Sequence, residues 1–205
     1  MTVSAPAAPV DGRTARGLRT RRAVVDALLA LQEEGDLEPT AQRVAARAGV
    51  ALRTVFGHFS DMETLWAQAG EQELAKITAL ADVPSGDLPL AERLDRFCAS
   101  RARVLEALLP VMRAARLREH ASPALQRNRE IFTAAGDAEV AAVFRTELAP
   151  LEPAEREVLV TALHLAAGGP AWELLRHDRG LPVEQAAALV RRTVGRLVPS
   201  TGGPL

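Results

Sequence analysis

Residues 39–66 read PTAQRVAARAGVALRTVFGHFSDMETLW, and the spacing within this stretch decides the fold. Two helices that cross closely need a small residue at the crossing, and Ala45 supplies one. The turn between them needs a residue that tolerates positive φ, and Gly49 stands four positions on. Val55, six positions after the glycine, is the apolar anchor of the second helix, and Val50 fills the inside of the turn. Two short helices joined by a glycine-containing turn form the unit that DNA-reading proteins lay in the major groove. Thr40, after Pro39, is placed to cap the first of these helices. Ser60 and Asp61, with Glu63 behind them, read as the cap and capping box of a further helix from about Met62 to Ala81.

Upstream, Val24, Val25, Leu28, Leu29 and Leu31 mark a helix that ends at Gly35. Arg13, Arg16, Arg19, Arg21 and Arg22 precede or open it, the densest positive run in the chain, and read as an arm that tracks DNA phosphates or a minor groove, or else as a solvated helix start. Residues 1–12 mix Pro, Ala, Ser and Gly without periodicity and read as a disordered tail. Downstream of a loop at Pro84–Pro89 the pattern stays helical. Leu90, Leu94, Phe97 and Cys98 share one face that continues to Leu105, and Pro110 is expected to break or kink this helix. Pro123 opens another helix reaching Leu148. A long one from about Ala154 to His177 should bend at Gly168, Gly169 and Pro170. Val183, Ala186, Val190, Val194 and Leu197 mark the last. No strand pattern or internal repeat is visible. The expected architecture is all-α, about nine helices, divided as 1–20 (basic arm), 21–66 (helix-turn-helix domain) and 67–205 (larger helical domain).

Composition bounds the chemistry. The chain has 205 residues, 48% hydrophobic, 25% charged and only 3% aromatic, without Tyr. Its net charge of −1 gives no global attraction to nucleic acid or membrane, so such a partner must be met by a local patch. The lone Cys98 excludes an intramolecular disulfide and reads as a buried small hydrophobe. No apolar run approaches the ~20 residues of a membrane span, and the first residues lack the apolar core of a signal peptide, which points to the cytoplasm. The four histidines, His58, His120, His164 and His177, lack the Glu-x-x-His spacing of a helical di-metal site. No phosphate loop or nucleophile elbow is present. No catalytic residue, metal or cofactor is therefore expected.

The quoted stretch resembles the N-terminal domain of the TetR family of transcriptional repressors through Thr40, Val44, Ala45, Ala48, Gly49, Val50, Thr54, Val55, His58, Phe59 and Leu65. The likeness is good from about Arg21 to Trp66. Further on, the Trp172-Glu-Leu-Leu run, Gly180-Leu181 and the final amphipathic helix are similar to that family's closing dimerisation helices. The resemblance implies a homodimer with no enzymatic activity, a palindromic operator as partner, and a small-molecule effector in the larger domain. It assigns phosphate contacts to Thr40, Thr54 and His58, and places Ala51, Leu52 and Arg53 at the start of the recognition helix. Arg53 is the best base reader, since its fork matches guanine O6 and N7. Phe56 stands where the family usually has Tyr, and Met62 where it usually has Lys. Arg19 and Arg22, in the basic run, join these as candidate DNA contacts.

Candidate effector contacts are Phe97, Arg101, Met112, Arg116, Phe132, His164 and Trp172. Arg101 falls on the stripe of Leu94, Phe97 and Leu105. It must meet an acidic ligand or a buried carboxylate, or else snorkel to solvent. The scarcity of aromatics favours an aliphatic pocket and a lipophilic effector. Two rivals remain at this level. One is a protein-binding helical module that keeps the helix-turn-helix as scaffold. The other is a helical-bundle enzyme, which purification with a bound metal or cofactor would reveal.

Overall fold

A computed structural model describes residues 12–199 of the chain, and every regular element in that range is helical. In order they are α1 (Gly12–Glu33), α2 (Ala41–Arg47), α3 (Leu52–His58), α4 (Met62–Leu80), α5 (Leu90–Arg118), α6 (Pro123–Val143), α7 (Arg145–Leu148), α8 (Pro153–Ala167), α9 (Gly169–Glu173) and α10 (Val183–Leu197). Counting α8 and α9 as one bent helix gives the nine expected. A 3₁₀ turn, Glu119–Ala121, joins α5 to α6, and one π turn, Leu174–Asp178, follows α9.

The small head forms because the long α1 and the short α2 and α3 share one apolar cluster with the start of α4. Val24, Leu28, Val44, Val55, Phe59 and Leu65 are all buried in it, with Ala69 of α4. The α2–α3 turn closes as the spacing predicts. Gly49 has φ +67°, its N–H donates to the Ala46 carbonyl, and the Val50 N–H donates to the Ala45 carbonyl, a Schellman closure. Thr40 caps α2 by accepting from the Arg43 N–H at 3.3 Å. Arg21 fastens the head together. Its guanidinium donates to the His58 carbonyl at 2.7 Å and to Gln68 at 3.0 Å, and lies 4.4 Å from the centre of the Phe59 ring.

The larger domain packs α5 and α6 against α8 and α10 around Phe97, Phe144, Leu163 and Trp172. Phe97 meets Phe144 edge-on at 5.3 Å. Beside this core, Arg93 and Glu147 form a buried bidentate pair at 2.8 and 2.6 Å. Arg93 also donates to the carbonyls of Leu88 and Val143. Cys98 is buried, as expected, and burial pushes its thiol up to about 12. Helix α4 links the two domains, and α6 runs beside it at close range. A Cβ at Gly70 would fall 2.1 Å from the Asn128 amide, so a side chain there would push Asn128 off its place beside α4.

Several expectations are corrected. Residues 12–20 belong to α1 and are not a disordered arm; residues 1–11 of that arm lie outside the described range. The reason is a tertiary contact: Gly17 packs near the His58 ring, which carries the helix across the α3 end of the head. Pro110 does not break α5, because Leu105, Leu108 and Ala114 on either side are held in packed interfaces. The bend at Gly168 is present, with φ −97° and ψ 174° ending α8. Glu63 does not box its own helix. Asp61 caps α4 through the Thr64 N–H at 2.8 Å, while Glu63 accepts from the Ser122 hydroxyl and the Ala124 N–H, capping α6. The 26 residues Pro153–Asp178 are, by length and a mean hydropathy of 1.3 over 18 residues, apolar enough for a membrane span. Here they fold back on α6 and α10, interrupted at Gly168.

Candidate nucleic-acid interface and effector cavity

Packing decides which face of α3 is free. Val55 and Phe59 point into the head, so Leu52, Arg53, Phe56 and Gly57 turn outward, with Ala51 at the start of the helix. Phe56 is 47% exposed and stands one turn from the exposed Leu52 on the same helix. Around this face the arginines divide by pairing. Arg47 is held bidentately by Glu34, and Arg43 by Asp36 at 2.9 Å. Among the described residues Arg16, Arg19, Arg22 and Arg53 are exposed and make no ion pair. Thr40 spends its acceptor on the cap, which leaves its hydroxyl proton free to donate outward. Thr54 and His58 are partly exposed, and the His58 ring borders α1 at Gly17.

The larger domain encloses a cavity of about 230 Å³ against α4. Arg101, Met112, Arg116, Phe132 and His164 line it. Phe97 and Trp172 do not. Phe97 is consumed by the aromatic core, and the Trp172 indole N–H donates to Glu106 at 2.9 Å, a carboxylate that Arg176 also holds and whose pKa it lowers. Arg101 meets a partly buried carboxylate: it donates to Glu139 at 3.1 Å and to the Ala167 carbonyl at 3.0 Å. Arg116 pairs with Glu173 and Arg129 with Glu119. His164 meets Asp137 at 2.5 Å. The rest of the wall is largely aliphatic, including Leu28 of α1.

Sequence reading missed two wall residues. Glu73 is 2% exposed, and its Oε2 has no hydrogen-bond partner; Glu139 Oε1 is likewise unpartnered. Burial pushes the Glu73 carboxyl up, and Lys76, 3.5 Å from its other oxygen, offsets this in part. The signal was available. Leu65, Ala69 and Glu73 step along one face of α4 at four-residue intervals, so a carboxylate sits on the buried stripe, the same pattern that singled out Arg101.

No protein-family model matches the sequence, and no curated protein does. Solved structures do. A transcriptional regulator from Rhodococcus sp. Rha1 superposes with a TM-score of 0.68 at 23% identity, covering 86% of this chain and 95% of that one. The multidrug binding protein EbrR, solved with imidazole, gives 0.62 at 21% identity, covering 90% and 93%. A Mesorhizobium loti chain assigned to the TetR family of transcriptional regulators gives 0.63 at 18%, covering 89% and 96%. Head, linking helix and helical body together give this chain the fold of TetR-family transcriptional regulators.

Proposed function

We propose that the protein is a ligand-responsive transcriptional regulator, acting as a repressor, that binds a palindromic operator as a cytoplasmic homodimer and has no enzymatic activity. The observation that carries this reading is the shared wall: Leu28 and Gln32 of the head's first helix line the same cavity as the body helices. A molecule filling that cavity touches the DNA-reading unit directly. Arg53 reads a base edge, while Leu52 and Phe56 offer apolar contact to thymine methyls. Thr40, Thr54, His58, Arg19 and Arg22 hold phosphates and fix the register. The multidrug binding protein of the same fold supports a small-molecule partner.

Dimerisation is assigned to α8 and α10. Val158 and Leu165 on α8 are 69% and 65% exposed, and Leu189 on α10 is exposed too, an apolar stripe of the kind that a second copy covers. Of the small residues Ala166, Ala167, Gly168 and Gly169, which suit a close approach between copies, the last three are buried within the chain and only Ala166 is partly exposed. A Cβ on Gly169 would collide with Met112. Two recognition helices then enter successive major grooves ~34 Å apart. An effector that binds more tightly when the heads are wrongly spaced releases the operator by shifting that population.

Fluorescence anisotropy on the chain's own upstream DNA and on a scrambled duplex, across a salt series, tests this. Specific binding at physiological salt that Arg53→Ala weakens by ~1–3 kcal/mol is expected. If no site is recovered even by selection from random duplexes, the head is a scaffold and the protein-binding reading replaces this one.

A further inference from the structure

The cavity wall has an uneven supply of unused polar groups. Each arginine that reaches it is already matched: Arg101 by Glu139, Arg116 by Glu173 and Arg129 by Glu119. The unused capacity is on the acid side. Glu73 Oε2 and Glu139 Oε1 are both buried acceptors without a donor. Buried polar groups are ordinarily hydrogen-bonded, and a buried ionised carboxylate needs both a counter-charge and donors. Lys76 Nζ supplies only part of this. It sits 3.5 Å from Glu73 Oε1 but 3.0 Å from Glu33, and does not reach Oε2. A carboxylate ligand would add a like charge to this wall. An uncharged hydrocarbon would leave the oxygen unpaired.

We infer that the cavity takes a lipophilic cation with N–H donors, an aryl- or alkylamine or an amidine, whose positive end donates to Glu73 Oε2 while its apolar body lies among Leu28, Val104, Leu108, Met112 and Phe132. This rests on the cavity being the effector site and names the chemical class of the effector. Glu73 is the counter-charge, and the aliphatic wall binds the remainder without directional demands. Lys76 is a resident cation that competes for the same carboxylate.

Isothermal titration calorimetry of the full chain without DNA tests it, using 4-phenylbutylamine, 4-phenylbutan-1-ol and 4-phenylbutanoate, which share a body and differ in the head group. The amine is expected to bind at least tenfold more tightly than the alcohol, with the carboxylate weakest. Glu73→Gln, folded as judged by circular dichroism, should erase the amine's margin while keeping alcohol binding. Lys76→Met should widen the margin. Equal binding of amine and alcohol, preference for the carboxylate, no binding of any of the three, or an amine margin that survives Glu73→Gln each overturn the inference. An amine that binds as stated yet leaves operator anisotropy unchanged upholds the ligand class and defeats the release mechanism instead.

Discussion

Glu147 and Glu73 are almost equally buried, 3% and 2% exposed, yet their surroundings treat them oppositely. Glu147 stands beside the body core, where Arg93 grips both its oxygens and gives two further donors to carbonyls. Nothing there is left for a ligand to do. Glu73 stands where body and head meet, with one oxygen unmet and one weakly matched. A closed polar network fixes a single packing. An open one holds an unmet interaction that a suitable molecule completes. The difference separates a polar network that is complete within the chain from one that keeps an unmet acceptor.

Breaking the closed site should have the largest effect. Glu147→Ala leaves a buried guanidinium without its carboxylate and should cost ~3–5 kcal/mol in urea unfolding, whereas the apolar pair Arg93→Met with Glu147→Leu should recover most of that loss. If the single variant unfolds like the parent, the contrast with Glu73 disappears.

At the open site the sign reverses. Burial raises the Glu73 carboxyl, so the folded chain holds this proton more tightly than the unfolded chain. The cost of ionising it is absent below the unfolded pKa and grows as pH rises through the folded one. Glu73→Gln should therefore stabilise the chain at pH 7 by ~1 kcal/mol, or ~2–4 °C in Tm. The gain should vanish as the pH falls below the ordinary carboxylate range. Thermal melts of both proteins at pH 7 and pH 4 read the sign directly.

The smallest effect tests how closed the core is. Cys98 lies in it with its thiol pushed up to about 12 by burial, its effect on Cys98 opposed in part by nearby Arg191. It should react with a disulfide reagent at neutral pH only as fast as the chain unfolds, and at once in denaturant. Fast labelling of the native protein would show a looser core than Arg93 and Glu147 imply.

The sequence revealed the head most fully, because its turn imposes demands that few residues meet. Gly49 must adopt a positive φ, Ala45 must be small, and each is visible in a single letter. The body was legible as helices but not as contacts. Arg101 was conspicuous on an apolar stripe, and the choice between ligand, carboxylate and solvent needed Glu139, thirty-eight residues away. Phe97 and Trp172 were offered to the cavity because large aromatics suit either a pocket or a core, and only packing separates the two. Glu63 looked like a local cap, and nothing in the letters announces a cap delivered to a different helix. Pro110 carries the usual sign of a helix break, which tertiary packing overrode.

That cap has a mechanical consequence. Glu63 pins the first turn of α4 to the start of α6, while Glu73 stands ten residues further along the same helix. At 1.5 Å per residue the two are about 15 Å apart, so a push on α4 at Glu73 would act as on a lever with its fulcrum at Glu63. A lateral shift of ~1 Å at Glu73 about a fixed Glu63 turns the helix by ~4°. The angle grows as the arm shortens, so a fulcrum nearer the cavity would give a larger swing for the same push.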